Sequence, residues 1–340
     1  MTGVRASIVI PVFNNLSLTK DCLKSVFACT PVGTYEVIVV DNGSSDGSWD
    51  YLQSLGSQIR CLRNLRNMFF ARGCNRGAWA ANADIIVFLN NDTIVQSGWL
   101  EELLRPFDRE PAIGITGNKQ LFPDGRVWHA GTVIGEDKLP WHVCYGFERT
   151  HPVVNRERDC ATVSGCCMAV RRDLFKKLRG FDPHFENGFE DADLCLRVRA
   201  LGYRIVYAPK SEIVHLVSRS EGRFDREDVN REKFKTRWAD KLVPDEREFL
   251  RDAGYRVEGA PPRPPESGGQ RDRDEVEDHA RGGSKAAFVQ RFAWESPFVA
   301  LRFSTLFKDR RGQGNTLYFQ TSFSQGTARF SPSTNLCVSE

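Results

Sequence analysis

Three acidic segments constrain this chain more than any other feature, because of where they fall relative to its apolar runs. Residues 37–40 (Val-Ile-Val-Val) lead directly into Asp41-Asn42-Gly43-Ser44-Ser45-Asp46, and residues 85–89 (Ile-Ile-Val-Phe-Leu) into Asn90-Asn91-Asp92. The third segment, Glu190-Asp191-Ala192-Asp193, follows Phe189 and opens a helix-like stretch. Strands that are apolar at successive positions suit burial on both faces, and therefore a mostly parallel sheet covered by helices. In open α/β sheets ligands sit beyond the carboxyl ends of the strands, so Asp41, Asp46 and Asp92 are expected to converge on one crevice. Carboxylates gathered there need a cation or several hydroxyls as partners.

The rest of the first hundred residues keeps that rhythm. Strand-like stretches at 7–13, 35–41, 59–63 and 84–89 alternate with helix-like ones at 18–28, 49–55 and 70–81. A further helix, capped by Ser97, is expected through Arg105, with Leu100, Leu103 and Leu104 as its apolar stripe. Between 113 and 170 the pattern is strand and loop, with turn signals at Pro123-Asp124-Gly125 and Gly131. A short helix at 172–178, a helix at 190–201, a strand at 204–208 and a last helix at 226–238 follow. The expected organisation is one domain over 1–245, with a nucleotide-sugar half at about 5–110 and an acceptor half at 111–245. Residues 257–284 read as a linker, because the Pro-rich 260–265 and the charged 271–278 lack core periodicity. Residues 285–340 read as an accessory segment, its aromatics interleaved with Arg291, Arg302, Lys308, Arg310 and Arg311 in a way that suits docking to a membrane surface.

Composition narrows the partners. A net charge of +3 over 340 residues, with bases and acids interspersed, gives no reason to expect a nucleic acid. Ten cysteines without a Cys-x-x-Cys pair read as reduced thiols of a cytoplasmic protein. No run approaches the ~18 apolar residues of a membrane span. The expected location is cytoplasmic, with peripheral association at the inner face of the membrane as its extension.

Each acidic segment also has a plainer reading. The 41–47 segment fits a strand-to-helix connection with Ser or Asp as cap, and Asn91-Asp92 fits a turn. Glu190, Asp191 and Asp193 suit the first turn of any helix, where carboxylates complement the dipole. Asp191 and Asp193 cannot point the same way on a helix, so one can act as a base while the other buttresses. A Mg²⁺ or Mn²⁺ ion commonly uses one or two protein carboxylates while phosphate oxygens complete its shell, so Asp92 alone suffices. His215, after the apolar Ile213-Val214, is placed to reach such a cation, although a lone histidine is more often structural. Arg197 and Arg199 are left out of the site.

Taken together, Ser7-Ile8-Val9-Ile10-Pro11-Val12-Phe13-Asn14, the segment Val39 to Gly47, Leu89-Asn90-Asn91-Asp92-Thr93, Gly180-Phe181-Asp182 and the segment Phe189 to Arg197 resemble the family 2 glycosyltransferases, in particular a bacterial rhamnosyltransferase-like branch. The resemblance runs from about residue 5 to about residue 240. It implies an A-type glycosyltransferase fold, a nucleoside-diphosphate sugar donor (UDP- or dTDP-linked), a divalent cation and inversion at the anomeric carbon. The acceptor it implies is a hydroxyl of a glycan or lipid-linked molecule. Carried over by position, Pro11 and Asn14 border the base, Asp41 contacts the nucleoside with Asp46 nearby, and Asp92 is the metal-binding acid. Asp191 becomes the catalytic base, with Glu190 beside it, and His215 the late histidine near the metal. Asn90 stands where the stricter Asp-x-Asp motif has an acid.

Other nucleotide chemistries fit less well. A dinucleotide-dependent oxidoreductase needs a Gly-x-Gly-x-x-Gly turn after the first strand, where this chain has Pro11-Val12-Phe13-Asn14-Asn15. The same turn counts against a sugar-nucleotide pyrophosphorylase. A non-catalytic nucleotide-sugar-binding scaffold or partner subunit is the remaining alternative, since a fold does not prove turnover.

Overall fold

The computed structural model of the protein describes residues 3–216 and 226–257 and two strands further on, Phe303–Lys308 and Asn315–Gln320. The first half follows the expected alternation: β1 (Ala6–Val12), α1 (Leu16–Cys29), β2 (Tyr35–Asp41), α2 (Ser48–Ser54), β3 (Arg60–Arg63), α3 (Phe69–Trp79) and β4 (Ile85–Leu89). After it come β5 (Thr93–Val95), α4 (Trp99–Arg109), β6 (Ile113–Leu121), β7 (Val127–His129), β8 (Thr132–Ile134), β9 (Pro140–His142), β10 (Arg158–Asp159) and β11 (Cys167–Arg171). The chain continues through α5 (Arg172–Lys177), α6 (Glu190–Ala200), β12 (Arg204–His215), α7 (Glu227–Trp238), α8 (Glu246–Asp252) and β13 (Tyr255–Val257). The strands β14 (Phe303–Lys308) and β15 (Asn315–Gln320) join β13 in a small separate sheet.

The main sheet runs β10-β12-β6-β11-β4-β1-β2-β3. From β3 to β4 its pairs are all parallel. β11 then enters antiparallel to both β4 and β6, and β12 lies parallel to β6, so the sheet is parallel in the first half and mixed in the second. Alternation along the strands explains why both faces are covered. Ile8 and Ile10 of β1, Val37 and Val39 of β2, and Val87 and Leu89 of β4 pack with Leu23 of α1 and Leu103 of α4. The intervening Val9, Ile38, Ile86 and Phe88 pack with Ala71 and Cys74 of α3 and with Phe175 and Phe181 on the opposite face. Helix α3 lies close enough that a Cβ on Gly77 would stand 2.4 Å from Val9 Cγ1.

Three differences from the sequence reading affect the site. Helix α4 is preceded by Gly98 in a left-handed conformation, not capped by Ser97. The strand expected to stop at 208 continues to His215 through a register shift between Ala208 and Glu212. The packed chain also runs past 245: the Ile134 N–H donates to Asp245 Oδ1 at 2.5 Å, and Leu250 of α8 is buried. The linker expected at 257–284 and most of the accessory segment expected at 285–340 lie outside the described residues. No described helix is long and apolar enough to cross a membrane.

Candidate active site

The strand pairings bring distant segments to one edge of the sheet. β4 ends at Leu89 opposite Cys167, and the Asn90 N–H donates to the Cys166 carbonyl at 2.8 Å, so the 90–92 turn lies against residues 164–166. On its other side the turn meets the end of β12: Thr93 pairs with His215, and the Leu216 N–H donates to the Asp92 carbonyl at 2.9 Å. Asn91 is directed away from the cation position by donating to Thr19 Oγ1 at 3.0 Å. Asp92 is 6% exposed, and its Oδ1 lies 3.4 Å from Nε2 of the buried His215.

Asp92 forms part of the lining of a crevice of about 870 Å³, within the usual range for small-molecule sites. Pro11, Val12, Phe13 and Asn42 line it from the ends of β1 and β2, and Ser164, Gly165 and Cys166 from the approach to β11. Asn187, Gly188, Glu190 and Asp191 line it from the start of α6. Asp92, Glu190 and Asp191 therefore share one cleft, as the sequence led one to expect.

The loop before α6 is held tightly. Asp191 Oδ2 accepts the Gly165 N–H at 2.7 Å and Oδ1 accepts the Ala192 N–H at 2.7 Å, while Glu190 Oε2 accepts the Gly188 N–H at 2.5 Å. Asn187 and Phe189 both adopt positive φ, at 57° and 68°. Across the crevice Phe69 does the same at 61°, with its N–H donating to Asn67 Oδ1 and the Phe70 N–H donating to Asn187 Oδ1. A bulky residue in this region costs about 1–3 kcal/mol, and such strain concentrates at functional sites. Asp193 faces the other way. It is fully buried and accepts from Arg197 Nε at 2.7 Å, Arg237 Nη1 at 2.8 Å and Trp238 Nε1 at 3.0 Å, tying α6 to α7. Arg197 thus buttresses the helix, and Arg199 donates to the Cys160 carbonyl.

The residues expected to grip the nucleoside need correction. Pro11 lines the crevice, but Asn14, Asp41 and Asp46 do not. The Asp41 side chain is wholly buried: Oδ1 accepts the Ser44 N–H at 2.9 Å, and Arg63 Nε lies 3.3 Å from Oδ2 without the alignment of a hydrogen bond. Its neighbour Asn42 faces the crevice instead, because side chains alternate at a strand end. Asp46 serves as a double cap, with Oδ2 accepting the Leu16 N–H of α1 and Oδ1 accepting the Ser48 N–H of α2. Asn14 ties the same loop down through Oδ1 to the Ser45 N–H and through its own N–H to Ser44 Oγ.

Sequence reading also missed Asn42, Asn67, Phe69, Phe70, Gly165 and Asn187. The turn-prone Asn187-Gly188 pair carried a signal; the others face the crevice only through long-range pairing.

The donor set suits a divalent cation. Neither ring nitrogen of the buried His215 has a hydrogen-bond partner, and Nε2 faces the Asp92 carboxylate, giving one nitrogen and one oxygen. No group of three metal-ligating side chains occurs among the described residues, so phosphate oxygens would complete the shell.

A strand-end crevice on a sheet that is parallel and then mixed, lined by an Asp–His pair and two carboxylates, has counterparts among known proteins. The crystal structure of GalNAc-T7 with UDP, GalNAc and Mn2+ superposes with a TM-score of 0.55 over 74% of this chain and 54% of its own, at 18% identity. The fold is the A-type glycosyltransferase fold. The model of glycosyl transferase family 2 matches residues 7–179, and that described as the N-terminal domain of galactosyltransferase matches 146–219. The chain belongs to glycosyl transferase family 2. It is 30% identical over 224 residues to the O-antigen biosynthesis protein RfbC of Myxococcus xanthus, covering 64% of this chain and 18% of that one. It is equally 30% identical over 212 residues to the N-acetylglucosaminyl-diphospho-decaprenol L-rhamnosyltransferase of Mycobacterium tuberculosis, covering 55% of this chain and 68% of that one. The chain thus spans under a fifth of RfbC and about two thirds of the rhamnosyltransferase.

Proposed function

We propose that the protein is an inverting glycosyltransferase that moves a sugar from a UDP- or dTDP-linked donor to a hydroxyl of a glycan or lipid-linked acceptor. The observation that carries this reading is the placement of Asp92, with His215 behind it, and of Asp191 and Glu190 in the lining of one crevice. Pro11, Val12 and Asn42 border the nucleoside end, while Asp41, Asn14 and Asp46 hold the loop that carries Asn42. The domain divides functionally as its sheet does, with residues up to about 110 binding the donor and those after it receiving the acceptor.

Asp92 and His215 would hold a Mg²⁺ or Mn²⁺ ion, which when bound neutralises charge on the departing diphosphate. Asp191 accepts the proton of the acceptor hydroxyl as its oxygen bonds to the anomeric carbon. The bond to the donor phosphate breaks in the same displacement, and its electron pair leaves with the diphosphate. The Gly165 and Ala192 N–H groups fix the Asp191 carboxylate, and because a carboxylate oxygen carries two lone pairs, accepting an N–H does not bar the incoming proton. The Asp193 ion pairs hold α6 from behind, so the base does not drift from the attack geometry.

The test is transfer from a panel of UDP- and dTDP-sugars to hydroxyl acceptors with Mn²⁺ present, with the anomeric configuration of the product read by NMR. Transfer with inversion is expected. Tight nucleotide binding with neither transfer nor donor hydrolysis would instead identify a scaffold.

A further inference from the structure

Just past the cation end of the crevice lies an aromatic cluster that the transfer reaction described above does not use. β6 and β12 run parallel with Leu121 opposite Val214, so the next residues, Phe122 and His215, emerge at the same edge of the sheet. β7 folds back on β6 and adds Trp128, whose ring centroid is 6.1 Å from that of His215. Phe122, Trp128 and Tyr145 pack edge to face, with centroids 5.1–5.5 Å apart, and His142 meets Trp128 at 5.6 Å. All three of Phe122, Trp128 and Tyr145 remain half-buried at the surface. Trp128 is held by its edges in a fixed orientation beside the Asp92–His215 pair.

Rigid rings that are neither buried nor scattered suit a ligand with an apolar face and a polar rim. A pyranose is such a ligand: its axial C–H bonds pack on a ring while its hydroxyls reach outward. The surroundings supply polar partners, since the Tyr145 phenol, raised by burial and by the nearby Asp124 carboxylate, stays protonated as a donor. We propose that Trp128, with Phe122 and Tyr145, is the platform on which a pyranose ring of the acceptor stacks, aligning its hydroxyl with the reacting centre. This rests on the transferase reading and adds the acceptor's chemical class, a sugar ring, and its place, on the β6–β7 hairpin. An acceptor recognised mainly through an apolar chain would not require this rim of polar groups.

The experiment uses the full chain with UDP or dTDP and Mn²⁺ present, and probes it with the methyl pyranosides of glucose, galactose, N-acetylglucosamine and rhamnose by saturation-transfer NMR. At least one is expected to receive saturation at its ring C–H protons. Trp128→Leu, which keeps apolar bulk without a ring face, should weaken that binding by about five- to tenfold, and Trp128→Phe should retain most of it. Nucleotide affinity, measured by calorimetry, should stay within twofold in both. Where Trp128→Leu proves unfolded by circular dichroism, Tyr145→Leu serves in its place with the same expectation. Pyranoside binding that is undetectable, or indifferent to the ring, overturns the platform, as does a variant that loses nucleotide affinity in parallel. Absence of any nucleotide or Mn²⁺ binding by the unaltered protein would sink the transferase reading instead, and leave the pyranoside result to be judged separately.

Discussion

In residues 6–109 the strands are filled with aliphatic side chains on both faces, and polar groups wait at their carboxyl ends. In residues 113–215 polar groups are threaded through the sheet itself: Asn118, Lys119 and Gln120 follow one another in β6, each at most 1% exposed. Lys119 Nζ donates to Asn155 Oδ1 at 2.6 Å and pairs with Glu212 Oε1 at 2.7 Å, and Glu212 in turn holds Arg149. The first half is thus stabilised by non-directional burial and the second by directional contacts whose partners come from elsewhere in the chain. A donor site built on the first tolerates loop variation at strand ends, whereas the second fixes a particular arrangement of side chains around the acceptor.

The contrast can be broken at several points. The largest effect is expected at Asp191: the Asn variant keeps shape but removes the proton acceptor, and should lose roughly 10²–10⁴-fold in turnover with donor affinity nearly unchanged. Steady-state kinetics checks this, and collapse of Glu190→Gln with survival of Asp191→Asn would move the base one residue earlier. Next comes the seam between the halves. Asp92→Asn should weaken Mn²⁺ binding by more than the roughly 10–100-fold that loss of an outer partner costs, and a chelator should abolish transfer reversibly. Full activity in excess EDTA would refute the cation's part.

A stability effect follows in the acceptor half. Lys119→Ala strands Glu212 beside Asn155 and should cost about 3–5 kcal/mol in denaturant unfolding, whereas Lys119→Met, which fills the space, should cost less than Ala. Equal losses for both would show that packing, not charge pairing, holds β6. The smallest effect belongs to the donor half. Asp46→Ala removes a cap from two helices and should cost about 0.5–2 kcal/mol while nucleotide affinity changes little. Burial pushes the Asp46 carboxyl up, but hydrogen bonds from Ser48 and Leu16 outweigh this and hold it below its ordinary 3.8. Its contribution is therefore present above about pH 4 and fades as acid takes the pH through the lowered value. An unfolding midpoint that differs between Asp46→Ala and the unaltered chain by the same amount at pH 3 and pH 6 would contradict this.

The same contrast decides what can be read beforehand. Sequence reading places β2 at 35–41 and it lies at Tyr35–Asp41, because an uninterrupted aliphatic run between turn residues has few other solutions. It cuts β12 short at 208, since Pro209, Lys210 and Glu212 break the pattern where the strand shifts register. It leaves β6 unresolved within a region of strand and loop because three successive polar residues do not look like a buried strand until their partners are known. At the site, Asp92, Glu190 and Asp191 are legible as carboxylates at element ends. The roles of Asp41 and Asp46 are not, because the direction of a side chain at a strand end depends on how the following loop packs. Phe69 is hidden for a different reason: nothing in its identity announces a left-handed backbone.

The pairing of β5 with the far end of β12 also sets an order of events. Asp92 and His215 are brought together by the Thr93–His215 register and by the hydrogen bond from Leu216 to the Asp92 carbonyl. A chain emerging from the ribosome has every residue of the parallel β1–β4 core long before it has β12. Its donor half can begin to assemble while the second cation ligand is still unmade, and synthesis thereby keeps the nascent enzyme idle until the last strand of the main sheet is laid down.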